Sequence, residues 1–387
     1  MRVLLLRNYR FDGSVSMRVF ANMLARELSA SGAIVQEIAP KPMFGCIRPS
    51  ATGVGKWLGY IDRFVVFPTA LRRAADGVDV VHICDHGNAM YTGILRDTPV
   101  VVTCHDMLAV RGALGEVDDL RPSFLGHLLQ KWIVSGLRRA TRVACVSQFT
   151  FDDAVRVLGG AENVRTVMNG LPYPFTVIQE SEAKDRLSRI EGLREPFILH
   201  VGSGHRRKNR EAVLRVFAKA RSHVDMQLVL AGEEPSSGIL RMAEELGVSN
   251  SILYLQRPET SVIEALYNRA VSLLFPSRYE GFGWPPIEAQ ACGCPAVTSN
   301  IAPFAEILGS SAELFPLEDE DGMARAIVRL ATDRAYREQM RQRGFENVRS
   351  RFQAARMAED YLKLYNEVRS EKAHGKLCVR WNASGGE

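Results

Sequence analysis

Short apolar runs alternate with amphipathic stretches through the first half of the chain. The runs predict strands at residues 2–6, 78–83, 100–104, 142–146 and 164–168. Between them, residues 16–31 have the spacing of a helix, and Ser147 is suited to cap another. Strands that are apolar on both faces and separated by helices indicate a parallel sheet covered on both sides.

The alternation stops at residues 171–195, where two prolines precede a charged stretch, and it resumes at Pro196. The second half predicts strands at residues 197–201, 227–231, 251–255, 270–275 and 296–299. It also predicts helices at residues 210–222, 236–246, 260–269, 285–292, 321–332 and 335–368. The pattern therefore predicts an α/β protein of two doubly wound, Rossmann-like halves joined by a linker.

The segment at residues 275–293 carries the strongest chemical pattern, FPSRYEGFGWPPIEAQACG. Its two consecutive prolines fit the first turn of a helix, so Glu280 falls in the preceding loop and Glu288 one turn into the helix. Gly281 and Gly283 permit positive φ and close approach of the backbone to a ligand. A loop of this kind before a helix N-terminus suits a bound anion that has hydroxyl groups beside it. The alternative is a surface loop with a glutamate favoured by the helix dipole.

A second loop gathers positive charge after the predicted strand at residues 197–201. It contains Gly202 and then Arg206, Arg207, Lys208 and Asn209 in succession. Adjacent cations repel one another, so their grouping favours a bound anion such as phosphate. A solvated basic turn is the alternative for this loop by itself, and the neighbouring Glu280 loop favours phosphate binding.

Polar residues also follow two predicted strands of the first half. His105 and Asp106 end one strand, and Asp85 and His86 follow another, close after His82. Ligands of open α/β sheets bind at this carboxyl edge. A lone histidine at a strand end is more often structural, and that alternative stays open for each of these histidines.

The segment at residues 275–293 resembles the signature of the retaining family-four glycosyltransferases, also called group 1 glycosyltransferases. The resemblance implies the GT-B fold, in which two doubly wound Rossmann-like domains face each other across a cleft. The expected parts are an acceptor-binding domain at residues 1–175, a donor-binding domain at 190–350 and a helix at 351–370 that returns to the first domain. We expect residues 371–387 to form a disordered tail.

The resemblance also implies site residues. His105, Glu280 and Lys208 would be catalytic, with His105 and Glu280 at the transferred sugar and Lys208 at the departing diphosphate. Further donor contacts are expected from Arg207, Asn209, Gly202, Gly281, Phe282, Gly283 and Glu288, the last at the ribose. Asp106, His86 and Gly13 are expected on the acceptor side. Trp284 stands where the family more often has an aliphatic residue.

Composition narrows the class of protein. The chain is 46% hydrophobic and 24% charged, which is typical of a globular enzyme, and no apolar run approaches the ~20 residues of a membrane span. The seven scattered cysteines are expected to be reduced thiols of a cytoplasmic protein. Asp319 and Asp321 are expected at a helix start rather than in a metal site. We therefore expect no metal and no cofactor.

The net charge of +5 is concentrated in the first half of the chain. Residues 1–170 hold 20 Lys and Arg against 15 Asp and Glu, whereas the rest holds 29 against 29. An amphipathic basic helix is predicted at residues 124–139, and such a helix can lie on anionic lipid at the inner face of a membrane. We favour the alternative, a helix that packs on the core with a solvated basic side. No pattern of nucleic-acid binding is present.

The motifs and the resemblance together predict an enzyme that moves a sugar from a nucleoside-diphosphate sugar to a hydroxyl acceptor, and the resemblance implies retention and a saccharide or lipid-linked acceptor. Bacterial envelope polysaccharide or glycoconjugate synthesis is the role expected from the resemblance. A sugar-nucleotide epimerase of the same fold and a non-catalytic nucleotide-sugar-binding subunit remain as alternatives. A dinucleotide oxidoreductase is disfavoured, because no predicted strand ends in Gly-x-Gly-x-x-Gly.

Overall fold

The computed structural model describes residues 1–48, 53–95 and 97–373. It divides into two compact units. The first unit comprises Met1–Pro172 together with the chain from Ala354 onward, and the second comprises Tyr173–Gln353.

The first unit is built on a six-stranded parallel sheet with the order β2-β1-β3-β4-β5-β6. Its strands are β1 (Arg2–Leu6), β2 (Ile34–Ile38), β3 (Val80–Ile83), β4 (Val100–Cys104), β5 (Arg142–Cys145) and β6 (Val164–Thr166). Every residue of β3, β4 and β5 is buried, which explains why these strands are mainly apolar, with His82, Thr103 and Arg142 as buried polar exceptions.

Helices pack on this sheet and enclose its core. They are α1 (Val15–Ala30), α2 (Gly53–Ile61), α3 (Phe67–Ala74), α4 (Leu108–Ala113), α5 (Phe124–Arg139) and α6 (Gln148–Leu158). A π-helical turn, Asp62–Val66, joins α2 to α3, and His86–Ile94 forms a 3-10 segment after β3. The predicted cap of α6 is confirmed, because the Ser147 side chain accepts a hydrogen bond from the Thr150 amide.

The second unit contains another six-stranded parallel sheet, with the order β12-β11-β10-β7-β8-β9. Its strands are β7 (Phe197–Gly202), β8 (Gln227–Gly232), β9 (Ile252–Gln256), β10 (Leu273–Phe275), β11 (Ala296–Ser299) and β12 (Glu313–Phe315). Its helices are α7 (Glu180–Leu187), α8 (Arg210–Arg221), α9 (Ser237–Glu245), α10 (Thr260–Arg269), α11 (Trp284–Ala291), α12 (Ala302–Ile307), α13 (Glu320–Thr332) and α14 (Arg334–Arg351).

The last helix, α15 (Ala354–Ala373), belongs to the first unit and packs against α1. A buried polar network fixes it to the sheet. His82 Nδ1 lies 2.5 Å from the Tyr365 hydroxyl, and the Thr103 hydroxyl lies 2.7 Å from His82 Nε2 and 2.8 Å from the Tyr361 hydroxyl. Burial lowers the pKa of His82 to about 3, so this imidazole is neutral and structural.

The predicted pair of doubly wound, Rossmann-like units is confirmed, and several element boundaries are wrong. Strands β2 and β12 were missed, because both are sheet edges with few buried residues. The predicted strand at residues 270–275 is only three residues long. The predicted helix at residues 335–368 is divided between α14 and α15.

Most of the predicted linker at residues 171–195 is instead an ordered part of the second unit, which begins at Tyr173. It contains α7, whose Arg186 guanidinium lies 2.7 Å from the Glu264 carboxylate on α10. In the first unit, residues 371–373 of the predicted tail are helical and end α15, and residues 374–387 lie outside the described part of the chain. None of the helices described is long and apolar enough to cross a membrane.

Candidate active site

Each sheet has one point at which the order of its strands reverses. In the second sheet this point lies between β7 and β10, which are neighbours although three helices and two strands separate them along the chain. Ligands of open parallel sheets bind beyond the carboxyl ends of the strands at such a point. The loops that follow β7 and β10 are the two that the sequence analysis singled out.

A carboxylate and two cations join these two loops. Glu280, in the loop after β10, accepts hydrogen bonds from Lys208 Nζ at 2.6 Å and from Arg207 Nη1 at 2.8 Å, both in the loop after β7. The Arg278 amide donates to the Arg207 carbonyl at 2.8 Å. The Asn209 side-chain amide donates to the Pro276 carbonyl at 3.1 Å. The predicted site residues of both loops therefore meet in one place.

Burial shapes the electrostatics of this ion cluster, which comprises Arg207, Lys208 and Glu280. Burial by itself would raise the pKa of Glu280, but the charges of Lys208 and Arg207 outweigh it and hold that pKa below its usual value. Burial lowers the pKa of Lys208, and the charge of Glu280 opposes that change. Arg207 is more exposed than Lys208. Two cations against one carboxylate leave net positive charge where the loops meet.

Backbone geometry fixes both loops. Asn209 adopts the left-handed conformation with φ of 54° and ends the 3-10 turn Arg206–Lys208, directly before α8. Gly283 has φ of 88° at the start of α11, and a Cβ there would lie 2.4 Å from the Phe304 ring. Only glycine fits this position, for both reasons. The adjacent Phe282 is buried and packs edge-on against Phe352.

Glu288 lies on α11, as predicted from its spacing to the prolines, and has a partner that the sequence did not reveal. The Tyr267 hydroxyl, on α10, donates to its carboxylate at 3.1 Å. Burial raises the pKa of Glu288 to about 7, against the opposing effects of the Tyr267 hydrogen bond and the Lys208 charge. Its protonation state therefore changes near neutral pH.

Two buried residues beside the β7 loop were missed. Arg210 donates to the Gly202 carbonyl at 2.8 Å and to the Glu233 carbonyl at 2.9 Å, and so ties the end of β7 to the end of β8. His200 Nδ1 lies 2.9 Å from the Leu274 carbonyl, and burial lowers its pKa to about 3. Each lies in a sequence that is typical of an ordinary strand or helix, so no local signal marked either.

The first sheet reverses its order between β1 and β3, and polar residues lie at the ends of both strands. The Asn8 side chain donates to the Asp85 carboxylate at 2.5 Å. Asp85 also accepts from the Gly87 amide at 2.8 Å, and His86 Nδ1 lies 3.5 Å from it. Burial by itself would raise the pKa of Asp85, but the neighbouring His86 and His105 and two hydrogen bonds hold that pKa below its usual value.

His105 is buried at the end of β4. Its Nε2 lies 2.8 Å from the Cys84 carbonyl, which can only accept, so this nitrogen carries the proton. Phe20 packs edge-on against the ring at 4.7 Å between centroids. Burial lowers the pKa of His105, and the charge of Asp85 opposes that change.

The remaining predicted residues of the first unit have local structural roles. The Asp106 carboxylate accepts from the Leu108 amide at 2.9 Å, at the start of α4. Gly13 adopts φ of 73° in the loop before α1. In the second unit, Asp319 caps α13 by accepting from the Gly322 amide at 2.8 Å. Within the described residues, no group of His, Cys, Asp or Glu is arranged to hold a metal ion.

Comparison with known protein families identifies the family of this chain. Residues 183–347 match the profile described as "Glycosyl transferases group 1", and residues 17–172 match the one described as "Glycosyltransferase Family 4". The chain belongs to the family-four, group 1 glycosyltransferases. The two matches cover most of the chain, and each falls almost entirely within one structural unit.

Curated relatives of this group 1 glycosyltransferase resemble it at modest identity. The serotype-specific mannosyltransferase WbdA of Escherichia coli is 27% identical over 67% of this chain and 33% of its own length. The N-acetyl-alpha-D-glucosaminyl L-malate synthase of Bacillus anthracis is 24% identical over 64% of this chain and 65% of its own length. The matched stretch is thus about a third of the mannosyltransferase.

Solved structures show that the fold is GT-B, with two Rossmann-like domains. Sucrose-phosphate synthase from Thermosynechococcus elongatus superposes with a TM-score of 0.77, at 20% identity, over 96% of this chain and 99% of its own. Anabaena HepE, solved in complex with UDP-glucose, superposes with a TM-score of 0.73, at 15% identity, over 95% of this chain and 100% of its own.

Proposed function

We propose that this group 1 glycosyltransferase transfers a sugar from a nucleoside-diphosphate sugar to a hydroxyl acceptor, with retention of the anomeric configuration. The observation that carries the proposal is the ion cluster of Arg207, Lys208 and Glu280 at the strand-order reversal of the second sheet. Its excess positive charge suits a leaving diphosphate. A UDP-glucose complex of the structurally similar HepE supports the same class of donor.

The rest of the donor has matching groups nearby. Glu288 as a carboxylate accepts hydrogen bonds from the two ribose hydroxyls. The backbone of Gly281, Phe282 and Gly283 approaches the sugar and the distal phosphate, since both glycines lack side chains and the Phe282 ring is buried against Phe352. Gly202 and Asn209 border the diphosphate from the opposite loop. Glu280 orients the sugar, and for His105 of the first unit a contact to the sugar rests on the family resemblance alone.

Departure of the diphosphate is the difficult step, because it leaves an oxocarbenium-like sugar. Arg207 and Lys208 stabilise the charge that develops on the departing phosphate. The acceptor oxygen then bonds to the anomeric carbon on the face from which the phosphate oxygen leaves, and its proton passes to that phosphate. Two side-chain cations supply the positive charge that a divalent metal provides elsewhere, so the reaction needs no metal and no cofactor.

The acceptor binds at the polar cluster of the first unit, which comprises Asn8, Asp85, His86 and Asn88. Within the described part of the chain, Asn8 Oδ1 and Asn88 Nδ2 are buried without a hydrogen-bond partner, and His86 Nδ1 has only a distant contact, 3.5 Å from the Asp85 carboxylate. Buried polar atoms in proteins are normally paired. Sugar hydroxyls both donate and accept, so a saccharide suits the half-buried Asp85 and His86 of this cluster. Asp106 and Gly13 border this side.

Polysaccharide or glycoconjugate synthesis in a bacterial envelope is the role that the relatives favour. Several of them are described as mannosyltransferases, two of which are described as making O-antigen chains. Mannose is therefore the first sugar to test, followed by glucose and N-acetylglucosamine.

The decisive experiment is NMR of nucleotide sugars incubated with the enzyme without an acceptor. We expect slow release of one sugar, first as the anomer present in the donor, and loss of that release in Glu280→Ala. Release of the opposite anomer would contradict retention. A new nucleotide sugar would identify an epimerase, and donor binding without release or transfer to any saccharide acceptor would identify a binding subunit.

A further inference from the structure

One face of the first unit exposes large apolar side chains on two neighbouring helical segments. On α5, Phe124, Leu128 and Trp132 follow one another at intervals of four residues, and Phe124 is 77% exposed. On α2 and the π-helical turn after it, Trp57 is 57% and Val65 is 69% exposed. Single exposed apolar residues are ordinary, but a contiguous group marks an interaction site.

Ring contacts show that the two segments form one surface. Trp57 packs on Tyr60 at 5.6 Å between ring centroids, and Tyr60 packs on Phe64 at 5.4 Å. Phe64 then contacts Trp132 of α5 at 5.3 Å. The aromatic row therefore runs without interruption from α2 to α5.

The opposite side of α5 already fills the core. Ile133 and Leu137 are buried there, so core packing accounts for one face of this helix and leaves the row at Phe124, Leu128 and Trp132 unexplained. The expectation of a helix that only packs on the core with a solvated basic side is thus incomplete.

A buried carboxylate holds a third exposed segment against the same helices. Asp62, in the π-helical turn, accepts hydrogen bonds from the amides of Phe44 and Gly45 at 2.9 Å and from the Tyr9 hydroxyl at 2.9 Å. Burial by itself would raise the pKa of Asp62, but these hydrogen bonds hold that pKa below its usual value. They fix the segment that carries the exposed Met43 beside α2.

The chain segments that carry this surface are basic. Residues 41–74 and 121–139 together hold ten Lys and Arg and one acidic residue, Asp62. Asp62 is 1% exposed, so it presents no negative charge to a partner. Lys56 is exposed and lies over the Tyr60 ring at 5.7 Å, and Lys131 is exposed next to Trp132.

We propose that this apolar–basic surface, formed by α2, the π-helical turn, α5 and residues 43–47, binds the surface of an anionic lipid bilayer. Aromatic side chains suit the boundary between headgroups and acyl chains, and the surrounding cations suit acidic headgroups. The alternative occupants of this surface are a protein partner of opposite charge and a second copy of the chain, and either would bind it in the absence of lipid. A second copy is disfavoured, because two such surfaces repel each other.

The test is co-sedimentation of the full chain with vesicles of phosphatidylcholine alone or mixed with phosphatidylglycerol. We expect binding to the anionic vesicles only, weakened at high salt. The apolar variant Trp57→Ser/Phe124→Ser and the charge variant Lys56→Gln/Lys131→Gln should each lower the affinity about tenfold or more, because a surface lysine contributes about fivefold.

Matched controls test whether the loss of binding is specific to this surface or follows from removing any exposed apolar or basic residue. Leu240→Ser removes an exposed apolar residue of the second unit, and Arg241→Gln/Arg349→Gln removes two exposed cations of that unit. These controls should bind vesicles like the wild type. Every variant should retain the far-UV circular dichroism and melting temperature of the wild type, which excludes misfolding as the cause.

The proposal does not rest on the proposed function, because vesicle binding is measured without donor or acceptor. Failure of the wild type to bind anionic vesicles would overturn it. Equal binding by the apolar variant and the wild type would also overturn it. If the apolar variant turned a dimer into a monomer in sedimentation velocity while vesicle binding stayed absent, the surface would be an interface between copies.

Discussion

In the proposed donor complex, Glu280 competes with the diphosphate for the same two cations, Lys208 and Arg207. In the free protein its carboxylate engages Lys208 and Arg207, so a diphosphate that approaches them must displace or share these bonds. Lys208 is buried, and without a partner its charge would be costly. The carboxylate therefore keeps the site charged and folded before the donor binds, and is then freed to hold the sugar.

Glu280→Gln should consequently bind a nucleoside diphosphate more tightly while transfer is lost. A charged hydrogen bond contributes about 1.5–3 kcal/mol, so release from competition should raise the affinity by about tenfold to a hundredfold in isothermal titration calorimetry. Lys208→Ala should lower both diphosphate affinity and transfer, the latter about tenfold to a hundredfold.

Glu320→Gln is the matched control for that experiment, because Glu320 pairs with Arg215 and Lys219 outside the two loops. It should leave diphosphate affinity unchanged. Weaker diphosphate binding by Glu280→Gln than by the wild type would contradict competition and indicate that the carboxylate only positions the cations.

Glu288 should make donor use depend on pH near neutrality. Its pKa of about 7 means that the carboxylate, which we propose accepts from the ribose hydroxyls, forms as pH rises through that value. We expect the KM for the donor to fall between pH 6 and 8. The pH dependence of KM should disappear in Glu288→Gln.

Tyr267→Phe is a second variant, for which we can predict the direction in which the pKa of Glu288 moves. The Tyr267 hydrogen bond lowers the pKa of Glu288, so its removal should move the midpoint of the KM profile to higher pH. A midpoint that stayed in place, or a profile that persisted in Glu288→Gln, would assign the titration to another group.

The sequence could locate these carboxylates but could not show their partners. Glycines and prolines fix the loop and the helix start locally, so the positions of Glu280 and Glu288 followed from neighbouring residues. Lys208 lies 72 positions from Glu280 along the chain, and the hydrogen bond between them depends on how the strands are ordered. Tyr267 lies in an ordinary helix, which explains why it was missed.

At the scale of elements, the start of α11 depends on one glycine. Gly283 combines positive φ with a contact so close that a Cβ would meet the Phe304 ring. We expect Gly283→Ala to lower the free energy of unfolding in urea by about 1–2 kcal/mol for the backbone conformation. Overpacking should add a further loss of about 1–3 kcal/mol. Diphosphate affinity should fall with it, because the Glu280 loop ends at this residue.

Gly247→Ala separates these two contributions. Gly247 also has positive φ, at 67°, but a Cβ there would meet no neighbouring group within 4 Å. It should therefore lose only the backbone contribution and keep the diphosphate affinity of the wild type. Equal losses in the two variants would show that the Phe304 ring moves aside without cost.

Burial explains which helices and strands could be predicted from the sequence. Central strands such as β4 are buried on both faces and produce continuous apolar runs, whereas the edge strand β2 is half exposed and carries Gln36 and Glu37. The linker prediction failed because proline and charge interrupt the pattern near α7, although an ion pair anchors that helix to α10. Composition indicates that the pattern is interrupted near α7, but it does not reveal the ion pair that anchors α7 to α10.

At the scale of the whole molecule, the two sheets carry side chains of opposite charge at the points where their strand order reverses. The reversal in the second sheet gathers Arg207 and Lys208 against one carboxylate. The reversal in the first sheet gathers Asn8 with Asp85, and Asp12 lies within 3.5 Å of Asn8. Diphosphate should therefore avoid the acidic point and bind the basic one, although both units share one architecture.

Hydrogen exchange measured by mass spectrometry tests this division directly. Addition of the nucleoside diphosphate that the enzyme binds should slow exchange at residues 203–209 and 278–284. Residues 8–14 and 85–88 should be unaffected, since their carboxylates repel the ligand. Lys208→Ala should lose the protection at both loops together, because its bond to Glu280 joins them. Protection at residues 8–14 without protection at 203–209 would place the diphosphate on the first unit and reverse the assignment of donor and acceptor sides.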